Sequence, residues 1–345
     1  MKLREPRYYP LFRCAAGDCP DTCCRDWEVV LDRKSVEYFQ TVPGELGETI
    51  RAAISELDGE PCFNLKDGFC PMLRPDGLCR VQRELGEEHL SRICAVHPRF
   101  AEEYGALREL SLTMGCPEAV RLLLADEAPM TYLEEKTDEP LAGCNDLDAR
   151  LFFALVAARK TAFAIVQDRT RTIAARTARL LAFAERFQRT LDQHRMGRLA
   201  DVCARFSVPA GPENGPEAMP ALPEALFGME PINDGWPALL AQAAEADGAR
   251  WDEFRAADRP YVYEHLLWYF LFRYALKAVN DRRFLPRVKF CAASTETIRR
   301  LFYARWLETG TLTDADRIDR VHRCCREIEH SEENMALLME ATTAP

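Results

Sequence analysis

Nine of the chain's fourteen cysteines fall within its first 116 residues. They read C-x4-C-x3-C-C over Cys14, Cys19, Cys23 and Cys24, continue with Cys62, Cys70, Cys79 and Cys94, and close at Cys116. Thiols at this density need a chemical reason: disulfides, a metal ion, or an iron–sulfur cluster. Met1 to Phe12 contains no apolar signal-like run, which points to a cytoplasmic chain whose thiols stay reduced. Disulfides are then the weaker reading and ligation the stronger. Four thiolates can hold one zinc ion or one [4Fe–4S] cluster, and spacing alone does not choose. The absence of paired C-x2-C knuckles favours the cluster, while Cys94-x2-His97 keeps a mixed zinc site open. The vicinal side chains of Cys23 and Cys24 are expected to diverge, one ligating while the other packs. Cys144, Cys203, Cys291, Cys324 and Cys325 lie in helical or core context and are expected to be small buried hydrophobes. Cys62 is undecided. The candidate ligands are therefore Cys14, Cys19, Cys23, Cys24, Cys70, Cys79, Cys94 and Cys116.

The rest of the composition is that of an ordinary globular protein. Of 345 residues, 48% are hydrophobic and 29% charged, enough for a large core and two units. A formal net charge of −10 argues against nucleic acid as a partner. The most apolar stretch, Tyr261 to Val279, carries Glu264, His265, Arg273 and Lys277, so a bilayer span is not expected.

In chain order, residues 1–30 read as irregular, with Trp27, Val29 and Leu31 in a short extended segment. Gly44 to Leu57 has helical periodicity with Gly59 past its end. Residues 60–80 return to loop, and Arg83 to Ile93 predicts a helix delivering Cys94. Leu110 to Met114 alternates as a strand, and Pro117 opens a helix with Cys116 at its N-cap. That position predicts a lowered thiol pKa. Asp126 to Asp138 reads as an exposed acidic connection. Asp148 to Ser207 is strongly helical, with one apolar stripe over Ile173, Thr177, Leu180, Ala184, Phe187 and Leu191. Residues 150–198 hold eleven Lys or Arg against three acids. This block reads first as a solvated face, with an acidic partner or anionic cofactor as the sharper alternative. Residues 207–237, with seven prolines and four glycines, form a loop. Tyr261 to Val279 predicts a central core helix, Thr295 to Thr309 another capped by Ser294 or Thr295, and Thr313 to Glu340 the last. The expected fold is mainly α: a loop-rich cysteine cluster domain with little strand over 1–125, and an all-α domain over 146–345.

Several motifs carry a resemblance. Phe12-Arg13-Cys14, Cys23-Cys24-x2-Trp27, Cys70-Pro71-x-Leu73, Gly77-Leu78-Cys79-x-Val81-Gln82, Leu90-Ser91-x2-Cys94-x3-Pro98-Arg99 and Leu110-Ser111-Leu112-x3-Cys116-Pro117-Glu118-Ala119 together resemble the flagellin lysine-N-methylase family. The cysteine core is also similar to small zinc- or iron-chelating domains. Weaker echoes of the methylase family are Tyr263-Glu264-His265-Leu266-Leu267 and Arg326-Glu327-Ile328-Glu329-His330. The resemblance implies methyl transfer from S-adenosylmethionine to lysine side chains of flagellin by a cytoplasmic enzyme carrying an iron–sulfur cluster. The chain departs from familiar donors' sites: it has no glycine-rich strand-to-helix turn and no C-x3-C-x2-C.

Displacement of a sulfonium methyl by an amine needs alignment and loss of the ammonium proton. His322, Arg326, Glu329 and His330 share one side of the last helix by spacing, and Glu264 and His265 interrupt an apolar helix. Glu264, His265, Glu329 and His330 are therefore the acid/base candidates, against a reading as structural ion pairs. A non-catalytic metal-binding or redox-sensing protein, or a zinc-stabilised adaptor, is the rival class.

Overall fold

The computed structural model describes residues 1–27, 29–57, 59–138, 147–206 and 217–341. The fold is mainly α, 59% helix against 12% strand, and among the described residues the strands are confined to the first 136. Four of them make one sheet, in the order β5 (Arg99–Tyr104), β6 (Leu107–Leu112), β1 (Lys2–Pro6), β7 (Tyr132–Lys136). β1 runs parallel to β6 and antiparallel to β7, with Lys2 opposite both Leu107 and Lys136. The chain start is thus a central strand rather than irregular, and the acidic connection contains an edge strand. Both assignments depend on partners about a hundred residues away, which local periodicity cannot show. A second sheet, β2 (Val29–Val30), β4 (Glu60–Phe63) and β3 (Ile54–Leu57), carries the small domain core.

Helix boundaries differ from expectation where a backbone feature intervenes. The first predicted helix covers Gly44–Ala53 and then becomes β3, which pairs with β4. Arg83 to Ile93 is broken by Gly86 at φ +104° into Arg80–Leu85, a short turn, and Arg92–Val96. A helix over Arg33–Thr41, which the periodicity did not reveal, is capped by Asp32. Ser294 and Thr295 are buried inside one long helix, Phe284–Thr309, rather than capping it. That helix ends at Gly310 in the left-handed region, where a residue without Cβ closes a helix at no steric cost. The last element is two helices, Asp314–Glu329 and Glu332–Ala341, the first opened by a Thr313/Asp316 capping box. Of the predicted 207–237 loop, residues 207–216 lie outside the described residues, and a short turn spans Glu224–Gly228.

Every residue from Val262 to Tyr274 is buried in the helix Pro260–Tyr274. An apolar circumference has no solvent face to offer, so this helix is wrapped by Ala149–Val166, Ile173–Asp192 and Phe284–Thr309. The predicted stripe on Ile173–Asp192 is buried at all six positions. Buried apolar side chains form two clusters. The larger joins the helices to Leu107 and Leu112 of the first sheet and to Tyr8, Phe12 and Met114 just beyond its strands. The smaller gathers Val29, Leu31, Phe39, Ile50, Phe63, Met72 and Val81. Arg159 pins the first sheet to the helices: it donates to Glu109 of β6 at 2.7 Å and to the Phe272 carbonyl at 2.8 Å, both buried. Arg169 and Arg176 are likewise neutralised, so part of the basic block faces buried carboxylate. Among the described residues no helix is long and apolar enough to cross a membrane.

Asp32 ties the small core together. It accepts from the Ser35 amide (3.1 Å) and hydroxyl (2.6 Å), and from the Arg92 amide (2.8 Å) that starts the helix bearing Cys94. The Ser35 and Arg92 donors hold its carboxyl down at about 2, against about 3.9 in an unfolded chain. The stabilisation is therefore present above about pH 4 and lost as pH falls through about 2. Asp32→Ala should cost about 1 kcal/mol at neutral pH. Urea midpoints between pH 7 and 2 should show the gap to wild type closing towards the acid end.

Candidate functional site

All eight candidate cysteines line one cavity of about 470 Å³ between the two apolar clusters. Backbone pairing explains how distant positions reach it. The Cys70 amide donates to the Cys24 carbonyl at 2.8 Å, Leu73 bridges Cys79, and the Arg80 amide donates to the Met72 carbonyl at 2.8 Å. Cys116 is the N-cap of the Pro117–Leu123 helix, as expected. The thirteen described cysteines are free thiols. Cys62 lies away from the cavity, buried in β4 with its sulfur 3.4 Å from Ser55 Oγ. Cys291, Cys324 and Cys325 are buried in the helical core and Cys203 is half-buried; Cys144 lies outside the described residues.

Burial dominates the thiols' acidity. It pushes Cys70 up to about 12 and Cys94 to about 11, and raises Cys19 and Cys79. Cys116 also rises, to about 11, because burial outweighs the hydrogen bonds from the Ala119 and Glu118 amides that were expected to lower it. Cys23 and Cys24 both line the cavity and interact with each other. A hydrogen bond between their side chains raises the Cys23 thiol and holds Cys24 down to about 7. Burial keeps Cys19, Cys70, Cys79, Cys94 and Cys116 protonated by comparison with Cys24, so a soft cation binding them must displace protons. Among the described residues no group of three or more His, Cys, Asp or Glu is placed to hold a single metal ion. A four-iron cluster carries its thiolates further apart than one zinc, whose sulfurs lie about 2.3 Å from a common point.

The helix Asp314–Glu329 approaches this cavity and contributes Arg326 to its lining. Each polar residue of Arg326–His330 has a separate task. Arg326 pairs with Asp21 at 3.0 Å and donates to the Thr22 carbonyl at 3.1 Å, fixing the cysteine loop. His322 stands 3.8 Å from Asp21. Glu327 accepts the Ile232 and Asn233 amides at 2.7 and 2.8 Å. Glu329 accepts from the Tyr269 hydroxyl (2.7 Å) and the Thr113 hydroxyl (2.8 Å), with Arg273 at 4.0 Å. His330 meets Trp27 and His97, ring centres 6.2 and 6.1 Å away. Trp27 and His97 themselves line the cavity. Gly115 is required here, since a Cβ would fall 2.6 Å from His330 Nε2. Burial holds His97 down to about 4 and His330 to about 3, so both imidazoles are neutral near pH 7.

Glu264 and His265 stand elsewhere. Fully buried Glu264 accepts two bonds from Arg169 (2.8 and 2.9 Å) and one from Arg176 (2.9 Å). It borders a second, polar cavity of about 580 Å³ with Arg255, Arg259 and Tyr263. His265 Nδ1 lies 3.0 Å from the Leu123 carbonyl, its other nitrogen has no hydrogen-bond partner, and burial lowers its pKa. The four acid/base candidates therefore divide into Glu329 and His330, packed behind the wall of the cysteine cavity, and Glu264 and His265, away from it. Sequence reasoning missed Thr113, Tyr269 and Trp27 as members of the site. Thr113 and Glu329 are 216 positions apart, and only folding relates them.

With this geometry in view, the chain belongs to the FliB lysine N-methylase family: the FliB lysine N-methylase C-terminal domain matches residues 159–343. The flagellar biosynthetic protein FliU of Salmonella muenchen is 32% identical over 144 residues, 40% of this chain and 85% of that protein. The lysine-N-methylase of Salmonella typhimurium is 34% identical over 144 residues, and that of Salmonella choleraesuis the same. The matched stretch is 36% of each of these two enzymes. No solved structure matches the chain.

Removing Glu264 leaves Arg176 buried and unpaired. Glu264→Ala should cost about 3–5 kcal/mol, read from the denaturant midpoint. Arg169→Ala, whose side chain is 40% exposed, should cost much less. Equal losses would mean that the two arginines share the burial penalty.

Proposed function

We propose that this chain methylates lysine side chains of flagellin with S-adenosylmethionine, in the cytoplasm, and holds a cysteine-ligated [4Fe–4S] cluster. Family membership supports the reaction class. The observation that carries the site is the placement of eight free thiols in one cavity, lined also by Arg326 and by Trp27 and His97, on which His330 packs. The donor set suits the cofactor: soft sulfur ligands on irregular backbone, with Cys24 already near ionisation. When bound, the cluster supplies a cross-link for a loop-rich region and a one-electron redox centre.

Four of the eight residues Cys14, Cys19, Cys23, Cys24, Cys70, Cys79, Cys94 and Cys116 suffice to hold such a cluster. A lysine entering beside Trp27 and His330 leaves water, which favours its neutral amine over the ammonium. An imidazole held at about 3 does not keep a proton near pH 7. His330 therefore accepts a hydrogen bond from the amine and orients its lone pair, while the proton passes to solvent. The amine nitrogen then forms its bond to the sulfonium methyl carbon as the sulfur–carbon bond breaks. That electron pair stays on sulfur, leaving a neutral thioether. Glu329, fixed by Tyr269 and Thr113, keeps the adjoining backbone in place. Neutralising the substrate is the uphill step, so kcat/KM should rise with pH towards the lysine pKa of about 10.4.

Flagellin co-expressed with this chain should carry methyl-mass increments on its lysine peptides by mass spectrometry. His330→Ala should reduce them about ten- to a hundredfold, the scale of a misoriented nucleophile. Unmodified flagellin from cells in which the chain is folded and loaded with iron would reject the methyltransferase in favour of a metal-binding or redox-sensing role.

A further inference from the structure

We infer that the outer edge of β5 is the docking strand for the protein substrate. An extended, lysine-bearing segment of flagellin adds to the first sheet alongside Arg99–Tyr104 and runs on towards the cysteine cavity. The identity of that segment rests on the methyltransferase reading. The inference concerns how the substrate is held, not what the thiols ligate.

Strand register shows which backbone groups are on offer. Antiparallel strands alternate between residues bonded to their neighbour and residues facing away from it. The Thr113 amide donates to the Pro98 carbonyl at 2.9 Å. Phe100, Glu102 and Tyr104 follow as the residues bonded to β6, opposite Ser111, Glu109 and Leu107. The amides and carbonyls of Arg99, Ala101 and Glu103 therefore point outward. Among the described residues no strand pairs with them there, and all three residues are exposed. Sheet edges are commonly blunted by proline, lysine or a bulge. β5 contains neither residue, and its register with β6 is unbroken from Arg99 to Tyr104. Three successive outward residues are a template for one more strand, whose main chain supplies the affinity.

The surroundings of the strand identify its occupant. Phe100, Glu102 and Tyr104 face the helical domain, where they meet Arg273, Lys277 and Phe152. Arg99 faces the other way, its guanidinium 4.9 Å from the Phe12 ring centre, and both residues line the cysteine cavity with His97 and Pro98. At about 3.3 Å per residue, a strand added to β5 reaches His97 within two residues of Arg99. The His97 ring stands 5.8 Å from Trp27 and 6.1 Å from His330, centre to centre, where the substrate amine is required. An extended segment turns alternate side chains to one face, so one lysine enters while its neighbours stay outside. The rim is apolar. Of the ten large hydrophobics exposed among the described residues, Leu11, Phe69, Val96 and Phe100 each adjoin a cavity-lining residue in sequence. Such a collar suits a protein partner. Charge agrees: exposed Glu87 lines the cavity and the chain carries −10 overall, the complement of a lysine-bearing segment. The opposite edge of the sheet, β7, is equally exposed, but none of its residues lines the cavity.

The test is hydrogen–deuterium exchange of the full chain with and without flagellin, together with methylation kinetics of an edge variant. On adding flagellin, amides within Arg99–Tyr104 should exchange about tenfold more slowly or better, while those of Tyr132–Lys136 stay unchanged. Ala101→Pro removes one outward amide and no bond to β6, a change that an edge strand accepts. It should raise the KM for flagellin about five- to tenfold, the scale of one lost hydrogen bond, and leave kcat unchanged. Lys136 faces outward on β7 by the same count, from the bond between the Thr137 amide and the Met1 carbonyl. Lys136→Pro should therefore alter neither constant. Exchange over Arg99–Tyr104 that flagellin does not slow, or a KM that Ala101→Pro does not move, would overturn the inference. So would protection that grows with protein concentration in the absence of flagellin, since the edge would then belong to a second copy of the chain. The exchange measurement uses wild type and decides the matter even if the proline variant does not fold. Protection of β5 by flagellin without methylation keeps the docking strand and removes the methyltransferase reading; methylation without protection does the reverse.

Discussion

The structure depends on how two apolar cores are joined across a seam lined with thiols. The small core is built from residues between Val29 and Val81, with short helices and a three-stranded sheet. Alone it is of a size that seldom supports a stable fold without a cross-link or a metal. Ligation by cysteines drawn from both sides would supply that cross-link. The site and the fold are then one problem: whatever holds the thiols also holds the cores.

Buried charge does the remaining fastening, and it does so at chosen places. Glu109 with Arg159, Glu264 with Arg169 and Arg176, and Glu329 with Tyr269 and Thr113 each join elements far apart in sequence. Such groups stabilise little against an apolar alternative, but removing one partner is costly. They therefore act as registration marks. Glu329 shows this most directly, because its two hydroxyl donors lie on the core helix and on the segment between β6 and Cys116. Together they bring Gly115 under His330, and so place the imidazole against Trp27 and His97 of the cavity wall.

Much of this was legible in the sequence, for physical reasons that can be named. The convergence of eight cysteines on one cavity was readable because thiols at that density have few uses apart from one another. The core helix was readable because an apolar circumference admits only burial, and Cys116 as N-cap because Pro117 has no amide to lose. The acidity of Cys116 was misjudged: the dipole argument holds only where burial does not exceed it. β1 and β7 were missed because parallel and antiparallel partners at a distance, not local alternation, decide them. Glu264 and His265 were singled out correctly as anomalous in an apolar helix. Anomaly alone does not say whether a carboxylate is paired for structure or poised for chemistry.

The helix Asp314–Glu329 shows why a weak motif can still be informative. Over Arg326–His330 its side chains point successively to the cysteine loop, to the backbone at Ile232–Asn233, into the core and to the cavity wall. A helix rotates about 100° per residue, so five consecutive residues sample its whole circumference. Each of these residues is demanded by a different neighbour, which leaves the segment little freedom to vary. A stretch with so little freedom marks the point where helical domain, small core and thiol cavity meet. A perturbation there should therefore be felt at the cavity, since Arg326 lines it and His330 packs on Trp27 and His97 of its wall.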